Sequence, residues 1–142
     1  LYQYVEKHGN VLYSQLAGRQ NVYFVSGQVD ADAREYIRKI VETKTDAIIV
    51  ASFGTFSTGV NIKNLHNVVF SSPSKSRTRT LQSIGRGLRK SDTKSAATLY
   101  DIADDLSWLS RNNYTLDHFI ERVKMYGDEK FDYKIYTVDM KG

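Results

Sequence analysis

The sequence predicts an α/β domain whose central sheet is mainly parallel and covered on both faces, with a helix and a strand appended at the C-terminal end. Short apolar, β-branched or aromatic runs at residues 22–25, 47–51, 67–70 and 96–102 alternate with stretches of helical periodicity. One of these runs, Ala47-Ile48-Ile49-Val50-Ala51, is apolar throughout, as a strand buried on both faces requires. Loops rich in glycine and hydroxyl residues follow the strands at Ser26-Gly27 and from Ser52 onward, at the strand ends where open α/β sheets bind ligands.

The chain of 142 residues is one domain's worth of sequence, with enough apolar residues to bury a core. It contains no cysteine, which excludes a disulfide framework, a thiolate nucleophile and a cysteine zinc site, and fits a reducing compartment. His8, His66 and His118 stand apart without metal-ligand spacing. No run reaches membrane-spanning length, so a soluble, cytoplasmic protein with no membrane partner is expected. The net charge is +4, yet residues 75–94 hold seven basic residues against Asp92, a local net of +6. A patch of that kind attracts polyphosphates, nucleotide or nucleic acid, by charge alone.

In chain order, residues 4–17 read as a helix with Val5, Leu12 and Leu16 on one face, weakened at Gly9-Asn10 and stopped by Gly18. Residues 22–25 form a strand that breaks at Ser26-Gly27. Asp30 caps the next helix, whose core face is Ala33, Tyr36, Ile37, Ile40 and Val41. After the strand at 47–51 comes Ser52-Phe53-Gly54-Thr55-Phe56-Ser57-Thr58-Gly59-Val60-Asn61-Ile62, a loop with a possible short helix, able to present amides and hydroxyls to phosphate. Read by itself, it is also an ordinary Gly/Ser-rich connection. Residues 67–70 are a further strand, and Pro73 fixes the turn into a basic helix. Residues 96–102 are the next strand, followed by Asp104 and Asp105. Together with Asp101 these could gather a magnesium ion, although solvation or pairing with arginine is the commoner fate of such carboxylates. Leu116, Phe119, Ile120, Val123 and Met125 or Tyr126 then make an amphipathic helix ending at Gly127. Residues 131–140 alternate in polarity as an edge strand would.

The basic helix has two stripes. Leu81, Ile84 and Leu88 fall on one face, suited to docking on a sheet, and Gln82, Gly85, Arg86 and Arg89 fall on another. Glycine inside a helix costs about 1 kcal/mol relative to alanine, so Gly85 and Gly87 make sense where something planar or anionic approaches closely. The plainer reading is a solvated basic face.

Gln82-Ser83-Ile84-Gly85-Arg86-Gly87-Leu88-Arg89 fits Gln-x-x-Gly-Arg-x-x-Arg and resembles motif VI of superfamily 2 helicases. The Ser52 to Ile62 stretch resembles their motif V, with two departures: it is one residue longer than in the DEAD-box branch, and Asn61 stands where aspartate is commoner. The Gly27 to Arg34 interval resembles one that follows the second strand of helicase C-lobes, and Arg34 reads equally well as a surface residue. Within the superfamily the chain is most similar to the UvsW-type recombination helicases of tailed phages, through Val50-Ala51-Ser52-Phe53-Gly54, Phe56-Ser57-Thr58-Gly59, Ile62-Lys63-Asn64-Leu65-His66 and the late Tyr126-x-Asp128-Glu129-Lys130-Phe131.

The resemblance implies a RecA-like second motor lobe over residues 1–109, with residues 1 and 2 ending a strand whose start is absent, and residues 110–142 as a helix and strand packed on it. It implies that Arg86 and Arg89 act as arginine fingers on ATP, that Gly59, Asn61 and Gln82 lie at the nucleotide, and that Ser26, Gly27, Ser52, Phe53, Thr55, Lys75, Arg77 and Arg79 face the nucleic acid. No Gly-x-x-x-x-Gly-Lys-Ser/Thr segment or Asp-Glu-x-His-like box is present. ATP and Mg2+ would therefore be held mainly by an N-terminal RecA-like lobe of the same protein, and this stretch alone would not hydrolyse ATP. The implied activity is ATP-driven unwinding, branch migration or annealing of single-stranded or branched DNA in recombination or repair, in the host cytoplasm if phage-encoded. Two other readings of the residues remain: a non-enzymatic nucleic-acid-binding α/β domain, and a magnesium nuclease built on Asp101, Asp104 and Asp105.

Overall fold

A computed structural model describes residues 5–59, 62, 64–72, 76, 80, 81, 84, 97–106 and 113–140. Two parallel strand pairs form its frame. Strand β1 (Val22–Val25) pairs with β2 (Ile48–Ala51) in the register Val22↔Ile48 to Val25↔Ala51. Strand β3 (Asn67–Phe70) pairs with β4 (Thr98–Asp101) in the register Asn67↔Thr98 to Phe70↔Asp101. Parallel neighbours need a crossover. Between β1 and β2 it is helix α2 (Ala31–Glu42); between β3 and β4 the described residues Thr80, Leu81 and Ile84 are helical.

The chain enters through a π-helical turn, Val5–Gly9, that passes into α1 (Asn10–Leu16), so the weak point expected at Gly9-Asn10 is a change of helix type and not a break. Tyr13 lays its ring 5.5 Å from that of Phe24 and ties α1 to β1. Asn21 has a left-handed backbone (φ 58°), which asparagine tolerates. Its Nδ2 donates to Asp46 Oδ1 at 2.9 Å and its carbonyl accepts from Ile48 N at 2.9 Å, which sets β1 beside β2. Asp30 caps α2 as expected, accepting from Ala33 N at 2.7 Å. Val41 of the anticipated core face is buried, but Tyr36 is 67% exposed.

Helix α3 (Phe53–Gly59) follows β2 directly. Two apolar clusters meet beneath it. The first holds Val25, Val41, Ala51, Phe56 and Ile62; the second holds Phe53, Val68, Phe70, Ile84, Met125 and Tyr126, and Leu65 packs against both. Phe53 and Phe56, three residues apart on α3, therefore point into different clusters and join the two strand pairs through one short helix.

Helix α4 (Tyr114–Asp128) is capped by Asn113, which accepts from Leu116 N at 3.3 Å, and it supplies Met125 and Tyr126 to the second cluster. Gly127 does not end it. The stop is a Schellman turn in which Lys130 takes the left-handed conformation (φ 57°), Lys130 N donates to Gly127 O and Phe131 N to Tyr126 O, each at 3.0 Å. The rings of Tyr126 and Phe131, 6.5 Å apart, make the apolar contact that accompanies such turns. Ile120, expected in the core, is 44% exposed. The strand expected over 131–140 is not formed: these residues pair with none of the described strands, and Tyr133, Ile135, Tyr136, Val138 and Met140 are exposed. Alternation in sequence makes a segment able to pair, but a strand exists only where a second backbone meets it.

Candidate functional site

Because Val25 and Ala51 are register partners, the residues that leave β1 and β2 emerge side by side. Ser26 and Gly27 thus stand next to Ser52, and Ser52 opens α3. Ser26 is 2% exposed and shapes a tight turn: its Oγ accepts from Gln28 N at 3.3 Å and its carbonyl from Val29 N at 3.1 Å. Ser52 accepts from Thr55 N at 3.2 Å through Oγ and from Phe56 N at 2.9 Å through its carbonyl, which starts the helix. The same Oγ donates to Thr55 Oγ1 at 2.9 Å. Gly27 is exposed, and a Cβ built on it would lie 3.9 Å from Thr55 Oγ1. Four of the residues expected at the nucleic acid, Ser26, Gly27, Ser52 and Thr55, are therefore brought together at one end of the β1–β2 pair.

Within that group the roles differ from what residue type suggested. The hydroxyls of Ser52 and Thr55 are buried and engaged with each other, so they hold the loop in shape, while the surface is Gly27 and the exposed Gly54. Phe53 is 2% exposed and its ring lies 4.9 Å from that of Phe70 at 54°. Its ring is committed to the core and is not available to stack on a base. Gly59 is the last residue of α3. Arg86, Arg89, Gln82, Asn61, Lys75, Arg77 and Arg79 lie outside the described residues. Of the segment before the arginines, Leu81 and Ile84, members of the apolar stripe, are described: Ile84, 4% exposed, lies in the second cluster with Phe53 and Phe70, and Leu81 packs against it. Thr80 N donates to Ser76 O at 3.0 Å at the start of that turn.

A second polar cluster was not anticipated as a unit. Asp101, the last residue of β4, receives Arg122 of α4 in a two-pronged pair, Nε to Oδ2 and Nη2 to Oδ1, both at 2.7 Å. The Tyr126 hydroxyl donates to Oδ2 at 2.6 Å. The Arg122 side chain is 2% exposed and that of Asp101 8%. Burial, and then the adjacent Asp101 charge, push the Tyr126 phenol well above its ordinary pKa. Arg122 also lies 5.9 Å over the ring of Phe119. The sequence does carry a signal: Arg122 falls among Phe119, Val123 and Tyr126, and a guanidinium on a buried face requires a carboxylate.

This geometry turns Asp101 away from Asp104 and Asp105 as a ligand group, toward Arg122 and Tyr126. Both oxygens of Asp101 are engaged by Arg122 and Tyr126, and Asp105 accepts from Asn113 Nδ2 at 3.1 Å. Among the described residues no group of three histidine, aspartate or glutamate side chains converges on a common point. No helix among them is long and apolar enough to cross a membrane.

The chain is similar to a known helicase. The ATP-dependent DNA helicase uvsW of Enterobacteria phage T4 is 39% identical over 144 residues, covering 94% of this chain and 29% of that protein. The crystal structure of T4 UvsW matches with a TM-score of 0.75 at 39% identity, over 96% of this chain and 30% of that one. The chain thus spans about three tenths of the length of the relative it matches. The model of the helicase conserved C-terminal domain matches residues 2–91, which include both strands of the β1–β2 pair, the Ser52 loop and the arginine segment. A mixed α/β fold with parallel strands is shared with a solved helicase, and the chain belongs to the helicase conserved C-terminal domain family.

Proposed function

We propose that this chain is the second motor lobe of an ATP-dependent DNA helicase that acts on recombination or repair intermediates by unwinding, branch migration or annealing. The observation that supports this best is the convergence of Ser26-Gly27 and the Ser52-Thr55 turn at the end of one parallel strand pair, with Phe53 in one cluster with Ile84, two residues before Arg86 in sequence. The exposed rim at Gly27 and Gly54 offers close backbone approach to a phosphate chain, and the basic residues Lys75, Arg77 and Arg79 add attraction that is indifferent to sequence.

ATP and magnesium, when bound, supply the phosphoryl group and the charge that neutralises it. The N-terminal lobe holds them, since no phosphate-binding loop occurs in these 142 residues. Arg86 and Arg89 reach across to that site and pair with charge that develops on the transferring phosphoryl group, a contribution of about a thousandfold or more in turnover. Gly59, Asn61 and Gln82 border the nucleotide.

The test is steady-state ATP hydrolysis by the full-length protein with and without DNA. Arg86→Ala or Arg89→Ala lowers turnover by about a thousandfold with DNA affinity nearly kept. Arg77→Ala or Arg79→Ala weakens DNA binding and flattens its salt slope by about one unit, with turnover at saturating DNA kept. If Arg86→Lys and Arg89→Lys both retain full turnover, the finger role is wrong and the chain acts as a binding module whose basic helix only contacts phosphates. The 142-residue chain alone hydrolyses no ATP; clear turnover by it would sink the division of labour between lobes.

A further inference from the structure

The second apolar cluster brings together residues from three places: Phe53 from the Ser52 loop, Ile84, which stands two residues before Arg86 in sequence, and Met125 and Tyr126 from α4. α4 thus forms part of the floor of the cluster that holds Ile84. Apolar contacts hold such a floor in place but leave it free to slide or rotate by fractions of an ångström, because they are non-directional.

What removes that freedom is the polar cluster on the same helix. Arg122 lies one turn before Tyr126 and grips Asp101 with two parallel bonds of 2.7 Å, a geometry that fixes distance and rotation together. Tyr126 is itself a member of the apolar cluster and bonds the same carboxylate at 2.6 Å. Asp101 is the register partner of Phe70, whose ring packs on Phe53. The chain of contacts is closed: Asp101 to Arg122 and Tyr126, Tyr126 to the cluster that holds Ile84 and Phe53, Phe53 to Phe70, and Phe70 to Asp101 through the β3–β4 ladder. An apolar pair would hold the helix down at least as strongly, since burying both charges carries a large desolvation cost. What an apolar pair would not supply is orientation.

We propose that Asp101, Arg122 and Tyr126 are positioning residues for the reaction: they lock α4 against β4 and so set where Ile84, two residues before Arg86 in the sequence, is held. This rests on the reading of Arg86 as a finger. A misplacement of about 1 Å at a transition-state contact lowers turnover by about a hundredfold, so a latch of this kind acts on kcat while ATP and DNA binding elsewhere persist.

The experiment uses the full-length protein and measures kcat and KM for ATP at saturating DNA, DNA affinity, and the melting temperature of each variant. Arg122→Lys keeps the charge and loses the fork. The expected result is a kcat lowered by about 10- to 100-fold, with KM and DNA affinity within about threefold, at a temperature where the variant is fully folded. Tyr126→Phe keeps the packing and loses one bond, and is expected to lower kcat by about two- to fivefold. If Arg122→Lys fails to fold, Tyr126→Phe decides alone. A wild-type kcat in folded Arg122→Lys, or in Tyr126→Phe where that variant stands alone, overturns the proposal and leaves the cluster as a structural brace.

A double-mutant cycle separates this proposal from the finger reading. If Arg86→Ala lowers turnover by about a thousandfold, to a residual rate that is still measured, and Arg122→Lys adds no further loss to it, the latch acts through Arg86. Losses that multiply overturn the latch while sparing the finger; full turnover in Arg86→Ala overturns the finger at Arg86 and the latch with it.

Discussion

Removal of the Asp101 carboxylate is the perturbation whose size the structure fixes best. In Asp101→Ala the Arg122 guanidinium, 2% exposed, keeps its charge and loses both of its 2.7 Å bonds, and the Tyr126 hydroxyl loses its acceptor. Breaking a buried pair in this way costs about 3–5 kcal/mol, far above the ~0–1 kcal/mol of an exposed pair. For a cooperative unit of this chain's length the unfolding entropy is about 0.3 kcal/mol/K, so the melting temperature falls by about 10–17 °C. The comparison that gives the number meaning is Asp101→Leu with Arg122→Met and Tyr126→Phe, which replaces the cluster by apolar groups of similar volume. That triple variant stays within about 1 kcal/mol of the parent or rises above it, because the desolvation cost disappears along with the attraction. Thermal melts of the 142-residue chain, followed by far-UV circular dichroism and repeated in the full-length protein, read both. A loss under about 1 kcal/mol in Asp101→Ala would mean that water reaches the pair, and the argument from burial would be refuted.

Three further outcomes follow from single residues. The raised pKa of Tyr126 means that the folded protein keeps this proton where the unfolded chain releases it near pH 10. Its contribution is therefore fully present below about pH 10 and is lost as pH rises from there towards the higher folded value; ultraviolet titration should show one tyrosine ionising late, and Tyr126→Phe should remove that step. Lys130→Gly relieves a left-handed residue at the end of α4 and should stabilise by about 0.5–1 kcal/mol in urea titrations; destabilisation would contradict the turn described. Phe53→Ala should cost about 3–5 kcal/mol of stability, with DNA affinity kept at a temperature where the variant is folded. Lost affinity without lost stability would return Phe53 to the nucleic-acid surface.

The sequence by itself determined the elements that depend on local pattern. Residues 22–25, 48–51, 67–70 and 98–101 became strands because β-branched and aromatic runs bounded by turn residues have few alternatives, and α2 began where Asp30 could cap it. The nearness of Ser26-Gly27 to Ser52 was also implicit, since parallel strands with a common register deliver their loops to the same edge. Only the tertiary structure decided which neighbour each side chain met. Nothing local told Phe53 to turn inward against Phe70 or Tyr36 to turn out, because helical periodicity assigns a face and not its occupant. Alternation over 131–140 could not supply the second backbone that a strand needs, and Gly127, the expected stop, yielded to a left-handed Lys130 because the contact between Tyr126 and Phe131 shaped the turn. The grip of Arg122 on Asp101 joins residues 21 positions apart, and its strength comes from the exclusion of water by the packed cluster around it, a property of the assembled core that no single stretch of chain possesses.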